Sequence, residues 1–166
     1  MAGMIDQLIE ILDEQTERYK EILGLANEKR DVIIANDIDE LQKITHLENL
    51  VISQTQKLER KRMSLVTDMA IALGQKDELT LANIIELMDG QGEQQSLKEA
   101  RDRIKAVLDE LSEVNNQNGI LIQNALEYIE YTTNLMQSSA GLRQPAYYSA
   151  AGEVYFDEPG FIDTKN

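Results

Sequence analysis

The sequence predicts an all-α fold: an elongated, up-and-down antiparallel helical bundle or coiled coil of three long helices and one short helix, with a flexible C-terminal tail. Apolar residues recur at alternating three- and four-residue steps, which is the signature of amphipathic helices. Capping and turn signals divide this pattern into segments. The pattern stops after Gln137, so we expect a helical bundle domain over residues 1–137 and an aromatic-bearing tail over residues 138–166.

The first two long helices are predicted to meet at a turn near Asn36. Asp37 can cap the second helix, and Glu40, three residues later, can complete a capping box. The second helix should run from Ile38 to about Leu73, and Gly74 supplies its stop. Two long helices joined by so short a turn are expected to pack antiparallel.

The rest of the helical region is predicted to be one short and one long helix. Thr80 can cap a short apolar helix that covers one end of the bundle, and residues 89–92 form a polar loop with two glycines. The long helix has apolar residues repeated every seven positions, which is the pattern of a coiled coil. This pattern fits the chain alone as well as a bundle that a second copy completes. Its repeat positions are Leu97, Ala100, Ile104, Val107, Leu111, Val114, Leu121, Ala125, Tyr128 and Leu135.

Two stretches are expected to disturb this last helix. Residues Asn115, Asn116, Gln117, Asn118 and Gly119 interrupt it, and Asn118 occupies a position of the apolar seam. A buried Asn there sets helix register or partner number; alternatively, the amides form a recognition site for a partner helix, which Gly119 lets approach closely. Further on, Ser138, Ser139 and Ala140, with Gly141 and Pro145, are expected to end the helix.

Composition restricts the partners and the compartment. A formal charge of -14 repels phosphate backbones and anionic lipids, so neither nucleic-acid binding nor membrane insertion is expected. The longest apolar run, Met69 to Leu73, is far shorter than the roughly 20 residues of a membrane-spanning helix. Acidic residues interrupt the N-terminus from Asp6 onward, which excludes a signal peptide, and the absence of cysteine suits the cytoplasm.

No residue pattern indicates catalysis, so we predict that the protein is not an enzyme and needs no cofactor or metal. The single histidine, His46, lacks the Glu-x-x-His pattern of helical metal sites, and nucleophile and phosphate-binding motifs are absent. The many carboxylates are interpreted as solvated surface charge. The cluster Lys57, Arg60, Lys61 and Arg62 predicts a solvated or salt-bridged face, with docking of an acidic partner as the alternative.

The tail concentrates aromatic residues in an otherwise turn-rich segment. It holds five of the eight aromatics in less than a fifth of the length: Tyr147, Tyr148, Tyr155, Phe156 and Phe161. Such side chains favour burial, whereas disordered segments are usually poor in them. Either the tail folds back onto its own helices, or it docks on a partner or switches between these states.

In their order along the chain, these elements resemble the FlgN-type flagellar export chaperones over nearly the whole length. The resemblance rests on the two long N-terminal helices, the Leu79-Thr80-Leu81 entry to the short helix and the Asn-rich stretch that ends at Leu121. The tail adds Tyr148-Ser149-Ala150-Ala151-Gly152, which is similar to a tyrosine-to-glycine element of that family, and Tyr147 fits the tyrosine position equally.

This resemblance implies an ATP-independent cytoplasmic chaperone. It would bind the hook–filament junction proteins FlgK and FlgL, prevent their premature association and deliver them to the type III export apparatus. Clients of the family bind the C-terminal region, which implies contacts at Leu121, Tyr128, Tyr131, Leu135, Tyr147, Tyr148 and Gly152. The arguments from the residues themselves add Asn118, Tyr155 and Phe156 to this predicted partner-binding set.

Two other classes of protein share part of the pattern. The heptads could build a self-associating coiled-coil scaffold without an export client, either as a homodimer or as a larger assembly. A helical-bundle enzyme of the chorismate-mutase type needs a cationic pocket, for which only the cluster from Lys57 to Arg62 is available. We rank the enzyme last.

Overall fold

The computed structural model describes residues 1–140, 146–148 and 154–156, and side chains as far as Ser138. Its elements are α1 (Ala2–Ala35), α2 (Ile38–Ala72), α3 (Leu81–Leu87), α4 (Glu93–Ala140), β1 (Ala146–Tyr148) and β2 (Val154–Phe156). The chain forms two compact units, Met1–Asn118 and Gly119–Asn166. Three long helices and one short helix confirm the predicted all-α class.

The turn between α1 and α2 has the predicted position and part of the predicted chemistry. Asn36 takes the left-handed conformation at φ 56°, which asparagine tolerates better than most residues. Asp37 Oδ1 then accepts a hydrogen bond from the Glu40 backbone N–H at 3.1 Å. The Glu40 carboxylate pairs with Lys43 Nζ at 3.3 Å, so this side chain is engaged one turn further along the helix.

Contacts between α1 and α2 show that the two helices run antiparallel. Gln15 Nε2 donates to Glu59 Oε2 at 3.0 Å. Further along α1, the Lys29 ammonium pairs with the Glu48 carboxylate. Residues late in α1 therefore meet residues early in α2, as the short turn predicted.

Helix α4 runs parallel to α1 within the first unit. Arg103 Nη2 donates to Asp13 Oδ1 at 2.7 Å, and Asn118 Nδ2 donates to the Ala26 carbonyl oxygen at 2.8 Å. Residue numbers rise together in both helices, which completes an up–down–up order of α1, α2 and α4. Helix α2 ends, and α4 begins, at the end of the bundle where α1 begins, so α3 and its flanking loops connect the two helices at that end.

The short helix α3 closes that end of the bundle, as predicted. Thr80 Oγ1 accepts from the Asn83 N–H at 3.2 Å, while Asn83 Oδ1 accepts from the Thr80 N–H at 3.1 Å, which completes a capping box. Its apolar side chains share one core cluster with the other three helices. The buried members of that cluster are Ile5, Leu8, Leu12, Val66, Met69, Ile84, Ile85, Met88, Leu97, Ala100 and Ile104.

A second, smaller core cluster joins α1 to α4 further along the bundle. It contains Ile22 and Ala26 of α1 with Leu111 and Val114 of α4. Ala26 is fully buried, and its carbonyl oxygen accepts the hydrogen bond from Asn118 of α4. The two clusters together hold α4 against α1 from Leu97 to Asn118.

Helix α4 corrects two predictions made from its sequence. It continues without a break through Asn115–Gly119, and it extends through Ser138, Ser139 and Ala140, where we expected it to have ended. Asn and Gly lower helix stability by about 1 kcal/mol or less at each position. Packing of the neighbouring heptad residues offsets such a cost in a long helix. The predicted domain boundary after Gln137 stays a prediction.

The tail contains two short strands that the sequence analysis did not predict. β1 and β2 pair antiparallel, with Ala146 opposite Phe156, Tyr147 opposite Tyr155 and Tyr148 opposite Val154. Aromatic and β-branched residues favour extended backbone, which accounts for strands at these two triplets.

One carboxylate contradicts the interpretation that all of them are solvated surface charge. Glu48 is 7% exposed and pairs with Lys29, so it belongs to the interior contact between α1 and α2. The residue type did not indicate this burial, because the position of Glu48 along α2 is what places it against α1. No helix in the described part of the chain is long and apolar enough to span a membrane.

Glu59 supplies a pH-dependent contact between the same two helices. The Arg62 guanidinium donates to it from Nε at 2.9 Å, and Gln15 donates from α1. The hydrogen bond from Arg62, aided by the one from Gln15 and opposed by partial burial, lowers the pKa of the Glu59 carboxyl. A lowered folded-state pKa stabilises the fold above the unfolded-state value of about 4.3, and this stabilisation disappears as the pH falls through the folded-state pKa.

We therefore expect the Glu59→Gln variant to be less stable than the wild type at pH 7. The difference in unfolding free energy should shrink as the pH falls below about 4, because the wild-type carboxyl then takes up a proton. Urea unfolding of both proteins across this range measures the difference. A gap that stays constant with pH would contradict the role given to Glu59.

Candidate protein-binding site

The predicted partner-binding residues fall into three groups. Asn118 belongs to the first unit and lies in its interior. Leu121, Tyr128, Tyr131 and Leu135 lie on α4 in the second unit. The tail residues follow: Tyr147 and Tyr148 are in β1, Tyr155 and Phe156 are in β2, and Gly152 lies outside the described residues.

Asn118 is buried and makes a specific contact with α1. It is 3% exposed, and its Nδ2 donates to the Ala26 carbonyl oxygen across the α1–α4 contact. Its Oδ1 has no hydrogen-bond partner within the described part of the chain. An amide in this position supports the first of the two hypotheses, in which Asn118 fixes the register of α4. It is also the last buried residue of α4 among those whose side chains are described.

From Gly119 to Ser138, α4 has no buried residue, yet it carries many large apolar side chains. Three predicted residues are more than half exposed: Tyr128 is 69%, Tyr131 66% and Leu135 52% exposed. Leu121, the fourth, is half-buried. Apolar side chains gathered in this way on an exposed surface typically mark an interaction site.

Other apolar residues of the segment were missed by the sequence analysis. They are Ile120, Ile122, Leu126, Ile129 and Met136, all exposed. A signal for three of them is present in the sequence, because the adjacent pairs Leu121-Ile122, Tyr128-Ile129 and Leu135-Met136 recur every seven residues. Only the first member of each pair continues the seam of α4, and the second widens the apolar stripe to one side. We call these three pairs and Tyr131 the α4 apolar surface.

The charges around the α4 apolar surface have a single sign. No Lys or Arg occurs from Ala106 to Leu142, whereas Glu127 and Glu130 lie on the exposed part of the helix. A partner with cationic side chains beside its apolar residues is therefore matched to this helix. A partner with acidic flanks is repelled.

The described residues offer little for catalysis or metal binding. No group of three His, Asp or Glu side chains among them is placed to hold a metal ion, and His46 is an exposed residue of α2. The structure does provide a helical bundle whose last helix, α4, continues into a segment with an exposed apolar surface. This arrangement defines the class of helical proteins that bind other proteins.

The chain belongs to the FlgN protein family, whose model matches residues 1–155. The match covers all four helices and reaches into the second strand. No curated protein and no solved structure is significantly similar to the chain. Membership of the FlgN family makes the protein a chaperone of flagellar export and assembly.

Proposed function

We propose that the protein is the cytoplasmic export chaperone of hook–filament junction proteins of the FlgK and FlgL type. It binds these clients, prevents their premature association and delivers them to the flagellar type III export apparatus. The observation that carries this proposal is the α4 apolar surface, whose Tyr128, Tyr131 and Leu135 are all more than half exposed. Family membership supports flagellar export as the process.

The physical basis is docking of an amphipathic client helix against α4. Each 100 Å² of apolar surface that the complex removes from water contributes about 2.5 kcal/mol, before the cost of association is subtracted. The seven-residue spacing of the exposed pairs matches one face of a partner helix. Cationic residues beside the client's apolar stripe would approach Glu127 and Glu130.

The tail is proposed to contribute to the same function. Aromatic residues of β1 and β2, namely Tyr147, Tyr148, Tyr155 and Phe156, would add contacts to the client, with Gly152 between the strands. Tyrosine provides a large apolar contact and one hydroxyl at a small entropic cost, which suits a protein-binding segment. Residues 138–166 are thus treated as a binding tail distinct from the bundle domain.

A pull-down of purified FlgK- and FlgL-type proteins tests the proposal, with the full-length protein compared with a version truncated after Gln137. Truncation is expected to weaken binding about tenfold, equivalent to 1.4 kcal/mol, because α4 keeps its apolar surface while the tail contacts are lost. Equal binding by both versions would remove the tail from the site. Binding by neither version would overturn the assignment of these clients.

Self-association is the second candidate function, and it is favoured by the same seven-residue spacing. A second copy of α4 could cover the exposed pairs and so form a coiled-coil homodimer or a larger scaffold. Sedimentation velocity separates the two candidates. A monomer, or a dimer that dissociates when client is added, supports the chaperone, whereas a large assembly that excludes client supports the scaffold.

A further inference from the structure

The middle of α2 has a charge opposite to that of the whole protein. Residues 49–67 contain one acidic residue, Glu59, and four cations: Lys57, Arg60, Lys61 and Arg62. The complete chain has a formal net charge of -14. A cationic cluster on a strongly acidic protein creates a local potential that attracts groups which the remaining surface repels.

Three of these cations have no ion-pair partner within the described part of the chain. The single acid, Glu59, is already engaged by Arg62 at 2.9 Å and by Gln15. Lys57, Arg60 and Lys61 are exposed, and none of them forms an ion pair with any side chain that the structure describes. They therefore do not stabilise the bundle through salt bridges.

Two exposed apolar side chains precede these cations on α2, about 10–20 Å earlier along the helix axis. Leu47 is 48% exposed and Leu50 is 51% exposed. Leu50, Lys57 and Lys61 are separated by seven and four residues, which places them along one face of the helix. A different face of α2 is buried, with Thr55, Leu58 and Val66. We call Leu47, Leu50, Lys57, Arg60 and Lys61 the basic α2 surface.

We propose that the basic α2 surface is a second docking site, which binds an acidic amphipathic helix of a protein other than the client. Charge complementarity selects this partner, because a helix whose carboxylates lie two to three turns from an apolar group matches Lys57, Arg60 and Lys61, which follow Leu50 at that spacing. The α4 apolar surface does not suit the same partner, since Glu127 and Glu130 border it and no Lys or Arg occurs between residues 106 and 142. Two surfaces of opposite charge therefore select different partners.

Binding of a synthetic probe to the full-length protein tests this site. The probe is a fluorescein-labelled helical peptide of roughly 18 residues, or five turns, with Glu residues on both sides of a Leu stripe. Fluorescence anisotropy is measured with the wild type, with Lys57→Glu/Lys61→Glu and with the control Lys76→Glu/Lys105→Glu. Both pairs of lysines are exposed and without ion pairs among the described residues, so each variant changes the charge equally.

The α2 variant is expected to bind the peptide at least tenfold more weakly than the wild type, and the control variant should lose no more than about twofold. Raising the salt from about 50 mM to about 300 mM should weaken wild-type binding, because screening shortens the reach of exposed charges. Pull-down of FlgK- and FlgL-type clients should be unchanged in the α2 variant. The second site and the proposed chaperone function can thus fail separately.

Several results would overturn the proposal. Equal losses in the two variants would mean that only net charge matters, and equal binding of a peptide with Lys in place of Glu would remove the charge argument. Peptide binding that appears only after residues 138–166 are deleted would assign the surface to the protein's own acidic tail. Capture by phosphatidylserine vesicles without peptide binding would assign it to lipid. Circular dichroism of both variants establishes that they are folded.

Discussion

Leu135→Asp is expected to weaken client binding at least thirtyfold while leaving the protein folded. Leu135 is 52% exposed in the free protein, so a carboxylate at this position can remain hydrated. In the complex the same group would be covered by the client, and an unpaired buried charge costs several kcal/mol. A loss of about 2 kcal/mol, the size that defines an interface hot spot, corresponds to about thirtyfold in affinity.

Met63→Asp provides a matched control for this experiment. Met63 is also 52% exposed and also lies in the interior of a long helix, but on α2 and outside both proposed surfaces. Isothermal titration calorimetry with a purified FlgK- or FlgL-type client should show a loss for Leu135→Asp alone. Urea unfolding should give similar stabilities for the two variants. If both variants lose binding equally, the α4 apolar surface is not the client site.

Local signals in the sequence predicted the helix boundaries because those signals act through neighbouring residues. Asn36 and Asp37 end one helix and begin the next through their own backbone conformation and side-chain hydrogen bonds. Thr80 begins α3 through its own side-chain hydrogen bond to Asn83. Capping interactions span three or four residues, so they can be identified without knowledge of the fold.

The pairing of α1 with α4 depends on contacts between residues about ninety positions apart, and the sequence does not show them. Asn118 was correctly placed on the apolar seam, but its acceptor, the Ala26 carbonyl, is a backbone atom that any residue carries. The same limitation explains why Gln15 was not recognised as a buried residue. Its 2% exposure results from the antiparallel packing of α2 and not from its own chemistry.

Heptad periodicity alone predicted part of the candidate site. Leu121, Tyr128 and Leu135 were identified because they continue the heptad seam, and two of them are well exposed. Ile122, Ile129 and Met136 were missed because a seam prediction assigns only one or two positions per heptad to a contact. Exposure is a property of the folded chain, and it distinguishes a heptad position that packs inside a bundle from one that remains open to a partner.

Lys29→Met is expected to destabilise the protein by about 3–5 kcal/mol, the largest change in stability that we predict. The side chains of Lys29 and Glu48 are only 19% and 9% exposed, so the Glu48 carboxylate would lose its partner in a site that water reaches poorly. Lys43→Met removes the cation of the exposed Lys43–Glu40 pair, where the side chains are 71% and 46% exposed. That control should change stability by less than about 1 kcal/mol.

The double variant Lys29→Met/Glu48→Leu shows whether the unpaired charge is the cause. Replacing both partners of a buried ion pair by apolar residues is often neutral or stabilising, so the double variant should recover most of the stability that Lys29→Met loses. Urea unfolding of the three variants and the wild type measures the four free energies. If the double variant is as unstable as Lys29→Met, the loss arises from packing of the lysine methylenes and not from the Glu48 charge. Recovery would show that Glu48 stabilises the contact between α1 and α2 only while Lys29 is present. In the sequence, this carboxylate cannot be distinguished from its solvated neighbours.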